Sequence, residues 1–388
     1  MSEGPTHRPA ETPDIRRSSV LEVAGVFLKL GTIGFGGPAA HIAMMHDEVC
    51  QRRKWVSEDR FVDLLGAANL IPGPTSTEMA IYLGYERAGW RGLIAGGVCF
   101  IVPAMVIVLA LSWAYLKYGS APQAVWLLFG IKPVVVAIIL QALWKLTRTA
   151  VKGRLLAAVG SLVLGLYLAG LNPVALIFGS GLLVTIIRNG RRLRRGKSLF
   201  ALVPGVALPA AMGHFSLASL FFTCLKIGSV VFGSGYVLLA FLRSDFVVRL
   251  GWLTDHQILD AVAVGQFTPG PVFTTATFIG YLLAGLPGAM LATLGIFLPS
   301  FFFAAAVFPV VGALRRSRWA SGLLDGVNAG ALGLMAGVAW QLGLAAIVNW
   351  LTLMLAAISV FVLFRFRVNS AWILLAGGII GLAYKLAA

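Results

Sequence analysis

The sequence predicts an all-α polytopic membrane protein of two homologous inverted-topology repeats, with broken or re-entrant helices and about 10–13 membrane crossings on the usual length per span. Three observations carry this prediction. The composition is apolar and arranged in bilayer-length runs, the same polar and proline residues return 197 positions later, and the basic loops shift by one connection between the halves. Of the 388 residues 59% are hydrophobic and 12% charged, with a mean hydropathy of +0.88. A soluble domain carries about twice that share of charge. Runs such as 93–115, 155–171 and 351–364 are apolar almost throughout. A helix spans the bilayer with roughly 20 such residues, and lipid leaves backbone groups no other partner.

The net charge of +16 does not point to nucleic acid. Most of the basic residues fall in short loops between apolar runs, where the positive-inside rule places them. Cys50, Cys99 and Cys224 have no ligand-like spacing and read as packing residues, with neither metal nor cofactor implied. Residues 1–19 are polar, lack a cleavage site, and read as a disordered cytoplasmic tail.

The repeat sets the domain organisation. Leu28-Lys29-Leu30-Gly31 through Phe35-Gly36 returns as Leu225-Lys226-Ile227-Gly228 through Phe232-Gly233. The same offset pairs Trp55 with Trp252, Asp63 with Asp260, and Pro72-Gly73-Pro74 with Pro269-Gly270-Pro271, giving 12 identities over 47 positions. One residue is then lost, and the register continues through Gly84/Gly280, Gly92/Gly288, Pro103/Pro299 and Trp144/Trp340. Apolar composition alone would match Leu with Ile, but not Lys, Trp, Asp and a Pro-Gly-Pro in one register. The expected units are repeats at 20–188 and 216–388, joined by a basic loop and connecting helix at 189–215.

Charge sets the orientation. First-half basic loops lie at 87–91, 145–154 and 188–197, whereas in the second half the basic clusters are Arg315-Arg316-Arg318 and 365–367, opposite uncharged first-half loops. Both sets face the cytoplasm only if the halves are inverted. The stretch 199–212, short and containing Pro204 and Pro209, must then cross once between them. Arg243 and Arg249 are the misfit on the outer side, eased by Asp245 and Asp255.

Each half opens with two interrupted segments. The breaks fall at Gly34-Phe35-Gly36-Gly37-Pro38 and Ile71-Pro72-Gly73-Pro74, and again at Phe232-Gly233-Ser234-Gly235 and Thr268-Pro269-Gly270-Pro271. Proline removes a backbone donor and ends a helix, and irregular backbone at membrane depth survives only inside protein or beside a wet cavity. A lone proline would read as a kink. Breaks duplicated at matching places point to a transport site at the repeat interface. A half-helix that starts after a break aims its free N–H groups and positive end at the break. Thr75, Ser76, Thr77, Thr274 and Thr275 add hydroxyls there, and Lys29 and Lys226 sit at matching points of apolar stretches. An intramembrane lysine is costly and marks function by default. Together these features describe an anion site. The competing reading has the lysines snorkel, or pair with Asp63 and Asp260 as structural ion pairs. Glu78 has no acidic counterpart and suits proton coupling, or else a lysine counter-ion. Lys132, opposite Asn328, is a further polar lining candidate, and Asn69 and Gln266 lie near the breaks.

On Gly34-Phe35-Gly36-Gly37-Pro38, Trp55-Val56-Ser57-Glu58 and Leu70-Ile71-Pro72-Gly73-Pro74-Thr75, with their second-half echoes, the chain resembles the chromate ion transporter family in its long, two-domain form. The resemblance covers most of the chain. It implies export of chromate across the bacterial inner membrane, sulfate as a mimic, and a link to the proton motive force. The expected partners are therefore chromate or sulfate, protons and membrane lipid, with a homodimer left open. The second-half break lacks the first half's proline, so the two halves are expected to contribute unequally. A passive anion channel is the alternative in a different class. A membrane reductase finds no redox motif, and no phosphate loop for nucleotide hydrolysis is present.

Overall fold

The computed structural model describes residues 20–35, 37–119, 121–193, 215–232, 235–307, 318–366 and 368–387. The tail, most of the connecting segment, and Gly36, Gly233, Ser234, Arg315, Arg316 and Arg367 lie outside these residues. The described chain is helical throughout. In the first repeat α1 is Val20–Ile33, α2 is Pro38–His46 with a wider π-turn Asp47–Arg52, and α3 is Glu58–Ala68. It continues with α4 at Thr75–Tyr118, α5 at Pro122–Ala150, α6 at Arg154–Leu168 and α7 at Pro173–Leu193. The second repeat follows the same order. Its elements are α8 Leu217–Val230, α9 Leu238–Leu242 with a π-turn Arg243–Arg249, α10 Asp255–Phe267, a 3₁₀ turn Val272–Thr274, α11 Thr275–Val307, α12 Arg318–Ala346, α13 Trp350–Arg365 and α14 Ser370–Ala387.

Local chemistry repeats with the elements. The Ser57 side chain caps α3 by accepting from the Arg60 N–H, and Thr254, its equivalent, caps α10 with Gln257 in a reciprocal box. Both π-turns close on the same bond, Trp55 N–H to Val49 O at 2.8 Å and Trp252 N–H to Phe246 O at 2.9 Å.

Among the described residues five helices are long and apolar enough to cross a membrane: Thr75–Tyr118, Pro122–Ala150, Val272–Val307, Ser321–Ala346 and Ser370–Ala387. Four shorter apolar helices accompany them. Large side chains such as Trp90, Phe302, Trp340 and Trp372 remain more than half exposed. In a chain this apolar that surface faces lipid, and the protein is a multi-pass membrane protein.

The two longest helices are not straight rods. In α4 the backbone leaves helical angles at Ala88 and Gly89 (φ 61°), and in α11 at Ala284 and Gly285 (φ 60°). Beyond each kink the chain doubles back. Added side chains at Gly84 and Gly92 would strike each other's backbone, as would those at Gly280 and Gly288. Each helix is therefore a tight hairpin with a short first limb. The limb 75–87 extends about 20 Å at 1.5 Å per residue, less than the ~30 Å of a bilayer core.

The early segments fold the same way. Ion pairs Lys29–Glu48 (3.4 Å) and Arg53–Glu22 (2.8 Å) set α1 antiparallel to α2 and its π-turn. Arg60 on α3 bonds Glu86 on the first limb of α4 (Nε, 2.9 Å), each 13 residues from Gly73. In the second repeat Lys226 pairs with Asp245 (2.5 Å), and Gly265 packs on the Thr275 hydroxyl. Four hairpins result, with the four breaks at their tips.

The later helices bind the repeats together. Helix α5 packs on α13 and α14, and α6 and α7 pack on α12. Small residues bring the backbones close: Gly130 against Gly377 and Gly381, Gly333 against Gly160, and Gly326 against Ser180. Packing of this kind drives helix association where lipid supplies no hydrophobic gradient. The largest buried cluster draws on both repeats, including Val134, Ile138, Leu238, Phe241, Phe278 and Leu334.

Candidate functional site

Between two prolines only the glycine carries an N–H, and no helix bond is open to it. The structure gives that donor to the other repeat. Gly73 N–H donates to Val231 O at 2.8 Å, and Gly270 N–H donates to Gly34 O at 2.8 Å. These are the same bond twice, because Gly270 is the equivalent of Gly73 and Val231 of Gly34. Both glycines hold positive φ, 138° and 88°, which L side chains rarely adopt. The four breaks thus meet. Helices α2, α4 and α9 and the turn before α11 all begin beside this meeting point, so their unpaired N–H groups and positive ends gather there.

The second limb of α4 records the arrangement along its length. Near its start Trp90 stacks edge-on with Tyr85, 5.2 Å between ring centroids. Further along, the Phe100 carbonyl abuts Gly31, and Ala104 abuts Gly270. Near its end the Tyr115 hydroxyl donates to Asp260 Oδ2 at 3.0 Å, and its ring meets Phe278.

The backbone frame is symmetric but its side chains are not. A Cβ at Gly73 would run into Glu78 Oε1 and Ser300 Oγ, whereas at Gly270 its nearest contact would be the Ala104 methyl at 2.8 Å. Ser300 and Ala104 are equivalent positions in the repeat. Glu78 is wholly buried, and among the described residues neither carboxyl oxygen has a hydrogen-bond partner; the same holds for Thr77 Oγ1 and Ser300 Oγ. Thr75 and Ser76 are also buried. In the second half the hydroxyls of Thr274 and Thr275 are satisfied within their own turn, by Pro271 O (2.8 Å) and Val272 O (2.7 Å). Buried polar groups normally find partners, so the unpartnered set marks the first-half tip. Pro72, Pro74, Pro269 and Pro271 form the tips themselves. Gly37 caps α2 with φ 79° and faces the Tyr236 hydroxyl. Tyr236 reaches Gln266 Oε1 at 3.4 Å.

The lysines are placed differently from the sequence expectation. Lys29 pairs with Glu48, which also holds Arg53 at 2.9 Å and Arg52 at 3.6 Å. Lys226 pairs with Asp245, which also holds Arg249 at 2.7 Å. The acids are repeat equivalents on the return limbs, so the pairing with Asp63 and Asp260 is corrected. The recurrent 19-residue spacing from lysine to acid was the available signal. Lys29 is 51% exposed at its side chain and Lys226 20%. Asp63 lies exposed on α3, away from the buried set. Asp260 is buried and pairs with Lys132 of α5 at 3.3 Å, a contact that joins the two repeats.

A cavity of ≈ 250 Å³ opens beside Lys226, Arg243, Asp245 and Arg249, closed by Tyr167, Gln341 and the turn 170–174. Arg243 is held bidentately by Asp255 at 2.7 and 3.0 Å. Its repeat equivalent is the His46–Glu58 pair at 2.5 Å.

Comparison with known proteins agrees with this duplicated frame. The family model described as chromate transporter matches twice, at residues 21–185 and 218–382. A "Chromate transport protein" of Cupriavidus metallidurans is 37% identical over 372 residues, covering 93% of this chain and 92% of that protein. A "Probable chromate transport protein" of Synechococcus elongatus is 35% identical over 345 residues, 84% and 85% of the two chains. A "Chromate transport protein" of Pseudomonas aeruginosa is 31% identical over 357 residues, 85% and 84%. No solved structure matches. Two copies of the family unit in one chain, and relatives alike over nearly their full length, establish that this chain belongs to the chromate transporter family, in its long form with two domains.

Proposed function

We propose that this chain is a secondary transporter that exports chromate, with sulfate as its structural mimic, across the bacterial inner membrane. Export is coupled to the proton motive force and proceeds by alternating access at the meeting point of the four breaks. The crossed bonds Gly73–Val231 and Gly270–Gly34 carry this reading, because they put the irregular backbone of both repeats in one buried place. Chromate is the substrate named for the Cupriavidus and Pseudomonas relatives, and a tetrahedral dianion suits converging helix N-termini and hydroxyls.

Inverted topology fits the contacts along α4. Its second limb starts beside the open end of the first-half hairpins, passes both tips near Phe100 and Ala104, and ends beside Asp260 and Phe278, well back from the Gly270 tip. Hairpins that enter from opposite faces and meet tip to tip give this order. The limbs, at about 20 Å, are half-length re-entrant segments. Arg243 and Arg249, the charge-rule misfits, are neutralised by Asp255 and Asp245. The cavity they line then faces the side opposite the basic first-half loops and serves as the outer vestibule.

Purified protein in liposomes, followed with radiolabelled chromate, tests the reading. Flux that needs a pH gradient and is blocked by sulfate is the expected result. Flux indifferent to the gradient and set by voltage alone would favour a passive anion channel instead. In the same assay Lys226→Ala is expected to slow transport about tenfold, equivalent to ~1.4 kcal/mol, and Lys29→Ala only a few-fold. Lys226 is partly buried and lines the vestibule, whereas Lys29 is half exposed and Glu48 keeps two arginines.

A further inference from the structure

We infer that the anion is held at one break only, that of Gly73, and by neutral donors: the hydroxyls of Thr77 and Ser300 and the Glu78 carboxyl in its protonated form. The inference rests on the reading of the breaks as the anion site. It assigns Ser300, contributed by the second repeat, as a binding residue, and it fixes the sign of proton coupling.

The backbone frame is symmetric, and the side chains set on it are not. At Gly73, Glu78 Oε1 and Ser300 Oγ converge on the same point, yet among the described residues they bond neither each other nor any other group. Thr77 Oγ1, next along the same helix, is also unpartnered, and all three residues are fully buried. Two polar groups left open around one point at a helix start, with an unpartnered hydroxyl on the residue preceding Glu78, describe a cradle for a ligand with several acceptor oxygens. At Gly270 the equivalent cradle is closed, with an alanine methyl in place of Ser300 and threonine hydroxyls already bonded to their own turn.

Charge settles what Glu78 does there. Among the described residues the titratable group set beside it is the Tyr82 hydroxyl on its own helix. The adjoining elements bring the Ser300 hydroxyl and, through Gly73, the Val231 carbonyl. His41, the titratable group of the neighbouring break, is tied to the Gly34 carbonyl at 2.8 Å. Among the described residues no cation pairs with Glu78: Lys29 and Lys132 are held by Glu48 and Asp260. An ionised Glu78 would face a dianion at contact distance in a medium of low dielectric, which excludes one or the other. A protonated Glu78 instead donates its O–H to the anion. The proton and the anion therefore favour each other's binding, and by linkage the effect is reciprocal. They travel in the same direction. One dianion leaving with one proton carries a single negative charge outward, so the electrical part of the proton motive force, negative inside, drives export, and a pH gradient alkaline inside opposes it.

The test is sulfate binding to the purified full-length protein across neutral and alkaline pH. Radiolabelled sulfate is the probe because it stays a dianion throughout, whereas chromate itself takes up a proton near neutrality. Wild type is expected to lose affinity about tenfold per pH unit on the alkaline side, the slope of one linked proton. Glu78→Gln keeps a donor that cannot titrate, so it is expected to bind within a few-fold of the wild-type optimum with no slope. Ser300→Ala is expected to weaken binding about tenfold, whereas Ala104→Ser leaves it unchanged. A flat wild-type profile, a wild-type slope in Glu78→Gln, or unaltered binding by Ser300→Ala would each overturn the inference while leaving oxyanion transport intact. A wild-type protein that binds and moves no oxyanion would sink the functional reading beneath it.

Discussion

Gly73→Ala is expected to abolish transport while leaving the protein folded into the membrane. The position holds φ at 138°, where an L residue costs about 1–3 kcal/mol. The added methyl would also collide with Glu78 Oε1 and Ser300 Oγ. Relief requires the tip to withdraw, which breaks the Gly73 N–H bond to Val231 O. A buried donor left without a partner costs about 1–3 kcal/mol more. Together these correspond to a rate loss of about a hundredfold or greater. Chromate flux normalised to inserted protein checks this. Gly25→Ala, a helical site with open space around it, is the control and should transport normally.

Lys132→Ala should be the most destabilising single change in the interface between the repeats. It strands the Asp260 carboxylate, which is 3% exposed and among the described residues keeps only the Tyr115 hydroxyl as a hydrogen-bond partner. Removing one partner of a buried ion pair costs about 3–5 kcal/mol. A marked fall in the melting temperature of the solubilised protein is the expected result. Lys132→Ala combined with Asp260→Asn removes the stranded charge and should recover most of the loss. A double variant as unstable as the single one would show that the cost arises elsewhere, in packing around Pro133 and α14.

The repeat was legible because Lys, Trp, Asp and Pro-Gly-Pro carried it, residues that apolar composition does not supply by chance. The breaks were legible for the same reason. Their partners were not, because a bond such as Gly73 to Val231 links the two halves and leaves no trace in either. The basic loop 87–91 divided 75–85 from the apolar run 93–115, but how tightly the two limbs pack was not legible, and only Gly84, Gly89, Gly92 and Gly96 hint at it. The lysines were drawn to the breaks by proximity in sequence, whereas helix geometry turns them toward Glu48 and Asp245 on the return limbs. Ser300 carried no motif. It stands out only when its repeat equivalent, Ala104, is set beside it on the shared frame. Lys132 was recognised as polar within a span, but its partner Asp260 lies 128 positions away.

The claim that the Gly73 break is the transport site is tested most directly by a single cysteine there. Ser300→Cys, made in a protein whose Cys50, Cys99 and Cys224 are replaced by serine, puts a thiol where the anion is held. Its reaction with a membrane-impermeant thiol reagent is measured from each face in turn, with and without sulfate. The account predicts labelling from both faces, each slowed by sulfate, because the site opens to one side at a time and is filled by the anion. A thiol that reacts from neither face, or reacts equally fast with sulfate present, would contradict it.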